Sequence, residues 1–171
     1  MIPHASTRRT RVAVIDGNVG RRMEADRMLS PFYEVSLYGS GQQALDEMAA
    51  EPPAVVLVDE LTPPMGGPAF LRALRRSPKL APVPAVCVSS HGGQPAEAAA
   101  REAGADAFFV RPLKSGPLVT ELARLSTRAV EAQWQSLPER QREALRRTVD
   151  TFNEISDLID QGRPLDFAKV G

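Results

Sequence analysis

Four polar residues in this chain each close a short apolar run. Asp16 follows residues 11–15 (RVAVI), Asp59 follows residues 54–58 (AVVLV), Ser89 ends residues 85–89 (AVCVS), and Arg111 follows residues 107–110 (AFFV). Two carboxylates, a hydroxyl and a cation brought to one place could hold a divalent metal beside a phosphoryl group, with one carboxylate as the nucleophile. That combination favours phosphoryl transfer. Taken singly the same residues have plainer readings: Asp16 and Asp59 as turn residues at strand ends, Arg111 as a solvated loop arginine.

Whether the four residues meet depends on the elements that carry them. Residues 11–15 stop abruptly at Asp16-Gly17-Asn18, as a buried strand does on entering a loop. Residues 20–30 set Met23, Met28 and Leu29 among Arg and Glu and end at Ser30-Pro31, which predicts an amphipathic helix. Tyr33 to Leu37 alternates as a second strand, and Ser40 with Gln43 offers a capping box for a helix through Ala50. Pro52-Pro53 precedes the third strand, which ends at Asp59. After a Pro- and Gly-rich loop, a helix is expected from about Pro68 to Arg76, with Phe70, Leu71 and Leu74 on one face.

A fourth strand over Ala85 to Ser89, a helix near 95–103 closed by Gly104, and a fifth strand over Ala107 to Val110 complete the pattern, with a fifth helix from about Gly116. Strands alternating with helices predict an α/β fold: a doubly wound parallel sheet covered on both faces, whose sites form at the carboxyl ends of the strands. That rule puts Asp16, Asp59, Ser89 and Arg111 on one rim.

Composition narrows the function. Of 171 residues, 21 are basic and 21 acidic, which lacks the excess positive charge of a general nucleic-acid binder and favours protein partners. Cys87 is the single cysteine and sits in an apolar run, so no internal disulfide can form and the thiol is expected in the core. Neither an apolar leader nor an apolar stretch of about 18 residues occurs, so the reading is cytoplasmic, with no membrane partner. No zinc-spaced His/Cys cluster, nucleotide-binding glycine motif or Ser-His-Asp candidate competes with the rim. His91 and His4 are assigned no role.

The segment from Val58 to Gly67 (VDELTPPMGG) resembles the phosphoacceptor loop of response-regulator receiver domains, which runs Asp, two variable residues, Met, Pro, variable, Met, Asp, Gly. Asp16 and Asn18, with Arg22 further on, resemble the family's opening acidic loop and first helix. Ser89-Ser90, Gly104 to Phe108, and Arg111-Pro112 resemble its later blocks in order and spacing. The resemblance spans residues 10–125 and implies a flavodoxin-like sheet of order 2-1-3-4-5. It implies Asp59 as phosphoacceptor, with Ser89 and Arg111 completing the catalytic set. Mg²⁺ would be held by Asp16, Asp59 and the Leu61 carbonyl, and Ser89 and Phe108 would form the switch.

Two departures bear on that reading. Gly17 stands where the family places a second acidic metal ligand, so Mg²⁺ binding is expected to be weak; Asn18 offers an amide oxygen as a substitute. Gly17 reads equally as a residue required by the backbone or as the trace of a lost metal site. Arg111 replaces the family's lysine, and its planar fork is not equivalent to a point charge. Paired with Asp59, it would fill the space that an incoming phosphoryl group needs.

The divisions expected are a flexible N-terminus (1–9), a receiver (10–127) and a helical extension (128–171). In the extension, Leu137-Pro138-Glu139 opens a new helix, on which Leu145, Val149, Phe152, Ile155 and Ile159 form an apolar stripe ending near Gln161-Gly162. The stripe calls for back-packing on the receiver, pairing with its copy in a dimer, or an output domain. The wording of 152–155 and 160–166 is similar to the helical lead-in of HD-GYP cyclic-dinucleotide phosphodiesterases, though their metal ligands are absent from this chain. Residues 137–141 resemble a helix-turn-helix opening, but only one helix follows, so DNA binding is not expected.

The reading is therefore a non-enzymatic two-component receiver, answering to a histidine kinase or another signalling protein. A homodimer would form through the face of the fourth helix, fifth strand and fifth helix, or through the C-terminal helices. Gly17 and Arg111 tilt the reading to a pseudo-receiver with Asp59 phosphorylation weakened or absent; the alternative is a Mg²⁺-dependent phosphoacceptor that switches on phosphorylation, as the regulatory half of a cyclic-di-GMP phosphodiesterase.

Overall fold

The computed structural model describes residues 9–160. Its elements are β1 (Arg11–Ile15), α1 (Val19–Leu29), β2 (Glu34–Tyr38), α2 (Gly41–Met48), β3 (Val55–Asp59), α3 (Gly67–Arg76), β4 (Ala85–Ser89), α4 (Gln94–Glu102), β5 (Ala107–Val110), α5 (Ser115–Ser136) and α6 (Glu139–Asp160). Every strand pair is parallel, in the order β2-β1-β3-β4-β5. This is the doubly wound sheet that the alternation of apolar runs and helices predicts.

The period-two geometry of a strand divides its side chains between two cores. Ala13, Ile15, Val56, Val58, Ala85 and Cys87 face the α2, α3 and α4 side, where Phe70, Leu71 and Leu74 are fully buried. Val12, Val14, Val55, Leu57, Val86 and Val88 face α1 and α5, against Leu29, Leu118, Leu122 and Leu125. Because both faces are covered, β3 and β4 are apolar at nearly every position. Each such buried Val, Leu, Ile or Phe stabilises the fold by about 1.5–3 kcal/mol.

Some element ends differ from the sequence expectation for local reasons. Helix α1 starts at Val19 because the Asn18 side chain accepts the Arg21 amide as its N-cap at 3.0 Å. Helix α2 stops at Met48, and its capping box is half made. Ser40 Oγ accepts the Gln43 amide at 3.2 Å, but Gln43 Nε2 reaches forward to Glu47 Oε1 at 3.0 Å. Strand β2 lies one residue later than expected, since its register pairs Glu34 with Arg11 at the start of β1.

At the amino ends of β4 and β5 a half-buried arginine at the end of α3 ties two connections together. Arg75 donates to the carbonyls of Ala81, Val83 and Gly104 and to Asp106 Oδ2 at 2.9 Å; that same oxygen accepts the Ala85 amide.

The chain divides into two compact units, 1–129 and 130–171. Within the second, the Arg146 guanidinium lies 5.8 Å from the centre of the Trp134 ring, a cation–π distance. Leu145, the first residue of the expected apolar stripe, is 45% exposed. The side chains of Val149, Phe152, Ile155 and Ile159, the segment 161–166 and His4 lie outside the described residues.

Candidate functional site

Register brings the polar residues to one rim. Ile15 pairs with Val58, so Asp16 and Asp59, one step on, emerge side by side at the junction of β1 and β3. This junction is also where the strand order reverses. Asp59 pairs with Val88, so Glu60 emerges beside Ser89, and the Arg111 amide donates to the Ser89 carbonyl at 2.9 Å.

Asp16 and Asp59 are 2% and 3% exposed. Each carboxylate has one oxygen held by a nearby backbone N–H: Asn18 donates to Asp16 Oδ1 at 2.8 Å, and Leu61 to Asp59 Oδ1 at 3.0 Å. The remaining oxygens face cations. Arg111 Nη2 donates to both, at 2.8 Å to Asp16 Oδ2 and 3.3 Å to Asp59 Oδ2. The pairing expected between Arg111 and Asp59 is thus shared, with the shorter contact to Asp16.

A second arginine enters from α1. Arg21 Nε lies 3.2 Å from Asp16 Oδ2, its Nη1 lies 3.7 Å from Asp59 Oδ2, and Nη1 also donates to Ser90 Oγ at 3.0 Å. Sequence reasoning passed over Arg21, which reads as a solvated residue in the first turn of a polar helix. Its one signal is position: three residues beyond an N-cap that lies two residues after a strand-end aspartate. Its neighbour Arg22 instead reaches the Asp16 carbonyl through Nη1.

Burial pushes the Asp16 carboxyl above its ordinary range, and nearby Asp59 adds to that; the Asn18 amide, Arg21 and Arg111 pull the other way. The Cys87 thiol, buried beneath the rim with Glu60 and Asp59 nearby, is pushed up to about 12, as befits an inert core residue.

Ser89 is fully buried, and its hydroxyl donates to Glu60 Oε2 while accepting the amides of His91 and Gly92 at 3.2 and 3.1 Å. Glu60 was not singled out by the sequence. Phe108 is partly buried against the α2, α3 and α4 core. Leu61 meets the site through its amide, its side chain being exposed. The Asn18 amide oxygen, a substitute ligand in the sequence reading, is the α1 N-cap instead.

Gly17 has a packing reason. A Cβ there would lie 2.5 Å from Pro63 Cδ and 2.8 Å from Cγ. The loop carrying Pro63 is fixed from both sides: Thr62 Oγ1 donates to the Asp59 and Ile15 carbonyls, and the Gly41 amide donates to the Pro63 carbonyl at 3.2 Å.

A five-stranded parallel sheet of this order, with paired aspartates on its carboxyl rim facing a cation from the end of β5, defines a flavodoxin-like α/β fold. Residues 12–123 match the family model of the response regulator receiver domain, and the chain belongs to that family. It is 29% identical over 120 residues to the two-component response regulator ORR11 of Oryza sativa, covering 70% of this chain and 79% of that protein. It is 26% identical over 149 residues to the cyclic di-GMP phosphodiesterase response regulator RpfG of Xanthomonas campestris, covering 85% of this chain but 39% of that protein. Among solved structures, the receiver domain of the sensor histidine kinase PA1611 from Pseudomonas aeruginosa, with magnesium in its active-site cleft, superposes with a TM-score of 0.65 at 22% identity. That match covers 70% of this chain and 98% of the other.

The residues present do not fit such a magnesium ion as they are arranged. Two buried carboxylates already face two guanidinium groups, so the pairwise charge sums to zero before any dication enters. Mg²⁺ asks for oxygen ligands in near-octahedral array, and no group of three or more acidic, His or Cys side chains suited to a metal occurs among the described residues.

Proposed function

We propose that this chain is an atypical two-component receiver that signals through protein–protein contacts, with phosphorylation of Asp59 weakened or absent and Mg²⁺ bound weakly. The observation that carries this reading is the contact of Arg111 Nη2 with both Asp16 Oδ2 and Asp59 Oδ2. An ion bridge in that position occupies the approach to the one oxygen of Asp59 not held by Leu61. Of the expected site, Asp16, Asp59 and Arg111 act together, whereas the Ser89 hydroxyl is engaged by Glu60 rather than free for a phosphoryl oxygen. Phe108, the other expected switch residue, would follow Ser89.

The partner is a histidine kinase or another signalling protein, met in the cytoplasm, and neither nucleic acid nor membrane. No helix among the described residues is long and apolar enough to cross a membrane. Val110, 45% exposed on β5, favours the α4, β5 and α5 face for a homodimer, with the C-terminal helices as the other candidate surface.

One observation favours a second reading, a phosphoacceptor that switches on phosphorylation as the regulatory half of a cyclic-di-GMP phosphodiesterase. The similarity to RpfG runs over 149 residues, beyond the span of the receiver family, and so takes in part of the extension. In that case an Asp59 oxygen attacks the phosphorus of a partner's phosphohistidine, the P–N bond breaks, and its electron pair returns to the imidazole.

Intact-protein mass after incubation with Mg²⁺ and acetyl phosphate, beside a competent receiver as control, decides between them. The atypical reading expects little or no phosphoryl adduct on the folded protein. A full adduct that disappears in Asp59→Asn overturns it in favour of the second.

A further inference from the structure

We infer that Arg21 stands in for the divalent cation of this site, and that its guanidinium is what weakens Mg²⁺ binding there. The inference rests on the atypical reading above but concerns a residue which that reading does not need.

The placement of Arg21 runs against local preference. It occupies the third position of α1, where the helix dipole and free N–H groups favour negative charge, and that first turn holds no acidic residue. A cation there is stabilised by what lies beyond the helix, namely Asp16 Oδ2 at 3.2 Å, Asp59 Oδ2 at 3.7 Å and the Ser90 hydroxyl at 3.0 Å. Residues that break a local rule mark the places where a site imposes its own demands.

Arg21 also does geometrically what a bridging ion would do. Its guanidinium spans the ends of three strands, touching Asp16 after β1, Asp59 at the end of β3 and Ser90 after β4. Arg111 approaches the same two oxygens from β5, so each cation neutralises one carboxylate. With a side chain 30% exposed, Arg21 lies on the solvent side of the pair, while Arg111 at 15% and the aspartates at 3% lie deeper. Removing Arg21 therefore leaves a net negative, water-accessible gap in front of two carboxylate oxygens, and Mg²⁺ readily keeps waters in such a site.

The test uses the full chain and Mg²⁺ alone, followed by calorimetric titration and by the shift of the melting temperature. Arg21→Ala is expected to gain saturable Mg²⁺ binding at least about tenfold tighter than the wild type's, since one neighbouring positive charge has gone. The gain should disappear when Asp16→Asn is added, and Arg21→Lys, which keeps the charge, should stay close to wild type. Arg21→Gln repeats the experiment with a longer side chain should the alanine variant not fold. Wild-type Mg²⁺ affinity equal to that of a folded Arg21→Ala or Arg21→Gln protein overturns the inference. Phosphorylation of wild-type Asp59 would sink the atypical reading on its own; the metal titration would still decide the role of Arg21.

Discussion

The ring of Pro63 stands where a side chain on Gly17 would begin, 2.5 Å from Pro63 Cδ to the position of a Cβ. The missing acidic ligand is therefore built into the loop packing and is not a simple vacancy that one substitution would refill.

Gly17→Asp is accordingly expected to destabilise the fold by about 1–3 kcal/mol, the usual range for forcing atoms into filled space. It should not tighten Mg²⁺ binding, contrary to what the sequence alone suggests. Urea denaturation and Mg²⁺ titration of the variant check both parts. Pro63→Ala should recover part of the lost stability in the double variant; a Gly17→Asp protein as stable as wild type that binds Mg²⁺ tightly would contradict the packing argument.

Arg111 faces two aspartates that are both almost wholly buried. Replacing it with Met keeps the volume but leaves those carboxylates with Arg21 as their remaining cation. Breaking a buried ion pair from one side costs about 3 kcal/mol or more, so the melting temperature should fall clearly. Arg111→Lys, with a point charge that cannot reach both oxygens in the same way, should lie between. Equal stability of all three proteins would mark Arg111 as a solvated loop residue.

Four of the strands and the rim were legible in the sequence because buried parallel strands read as unbroken apolar runs, each ended by a chemically distinct residue; β2 showed only as alternation, and the strand order came from the family resemblance. Asp16, Asp59 and Arg111 could be found for that reason. Arg21 and Glu60 could not, since each sits one step outside the pattern: Arg21 among the polar residues of an amphipathic helix, Glu60 one residue beyond the strand end. Their roles come from register, which sets Glu60 beside Ser89, and from the direction in which α1 leaves β1. The reason for Gly17 lay in a loop 46 residues away in sequence, which no local signal reports.

Asp16 gives the site a pH signature. Burial raises its folded pKa above the ordinary 3.8, so the native state binds this proton more tightly than the unfolded chain does. The stability linked to that proton is fully present below the ordinary value and is lost as pH rises through the raised one. The stability of wild type minus that of Asp16→Asn should therefore fall as pH rises from about 4 and then level off. Denaturant midpoints of the two proteins across that range provide the check. A difference that grows with pH would show that Arg21 and Arg111 outweigh burial.

The C-terminal extension can be separated from the receiver on packing grounds. The buried residues of α5 are Leu118, Leu122 and Leu125, all before residue 126, although the helix runs on to Ser136. A chain ending at Arg128 keeps every one of these contacts. Its melting temperature should stay within about 4 °C of the full chain, a shift corresponding to about 1 kcal/mol or less. Sedimentation of both forms then reads the role of the extension separately from stability. If the C-terminal helices join two copies, the truncated form sediments as a monomer while the full chain does not. Sedimentation unchanged by the truncation would leave the α4, β5 and α5 face as the dimer candidate. A loss of stability well beyond that margin would show that the receiver depends on residues after Arg128.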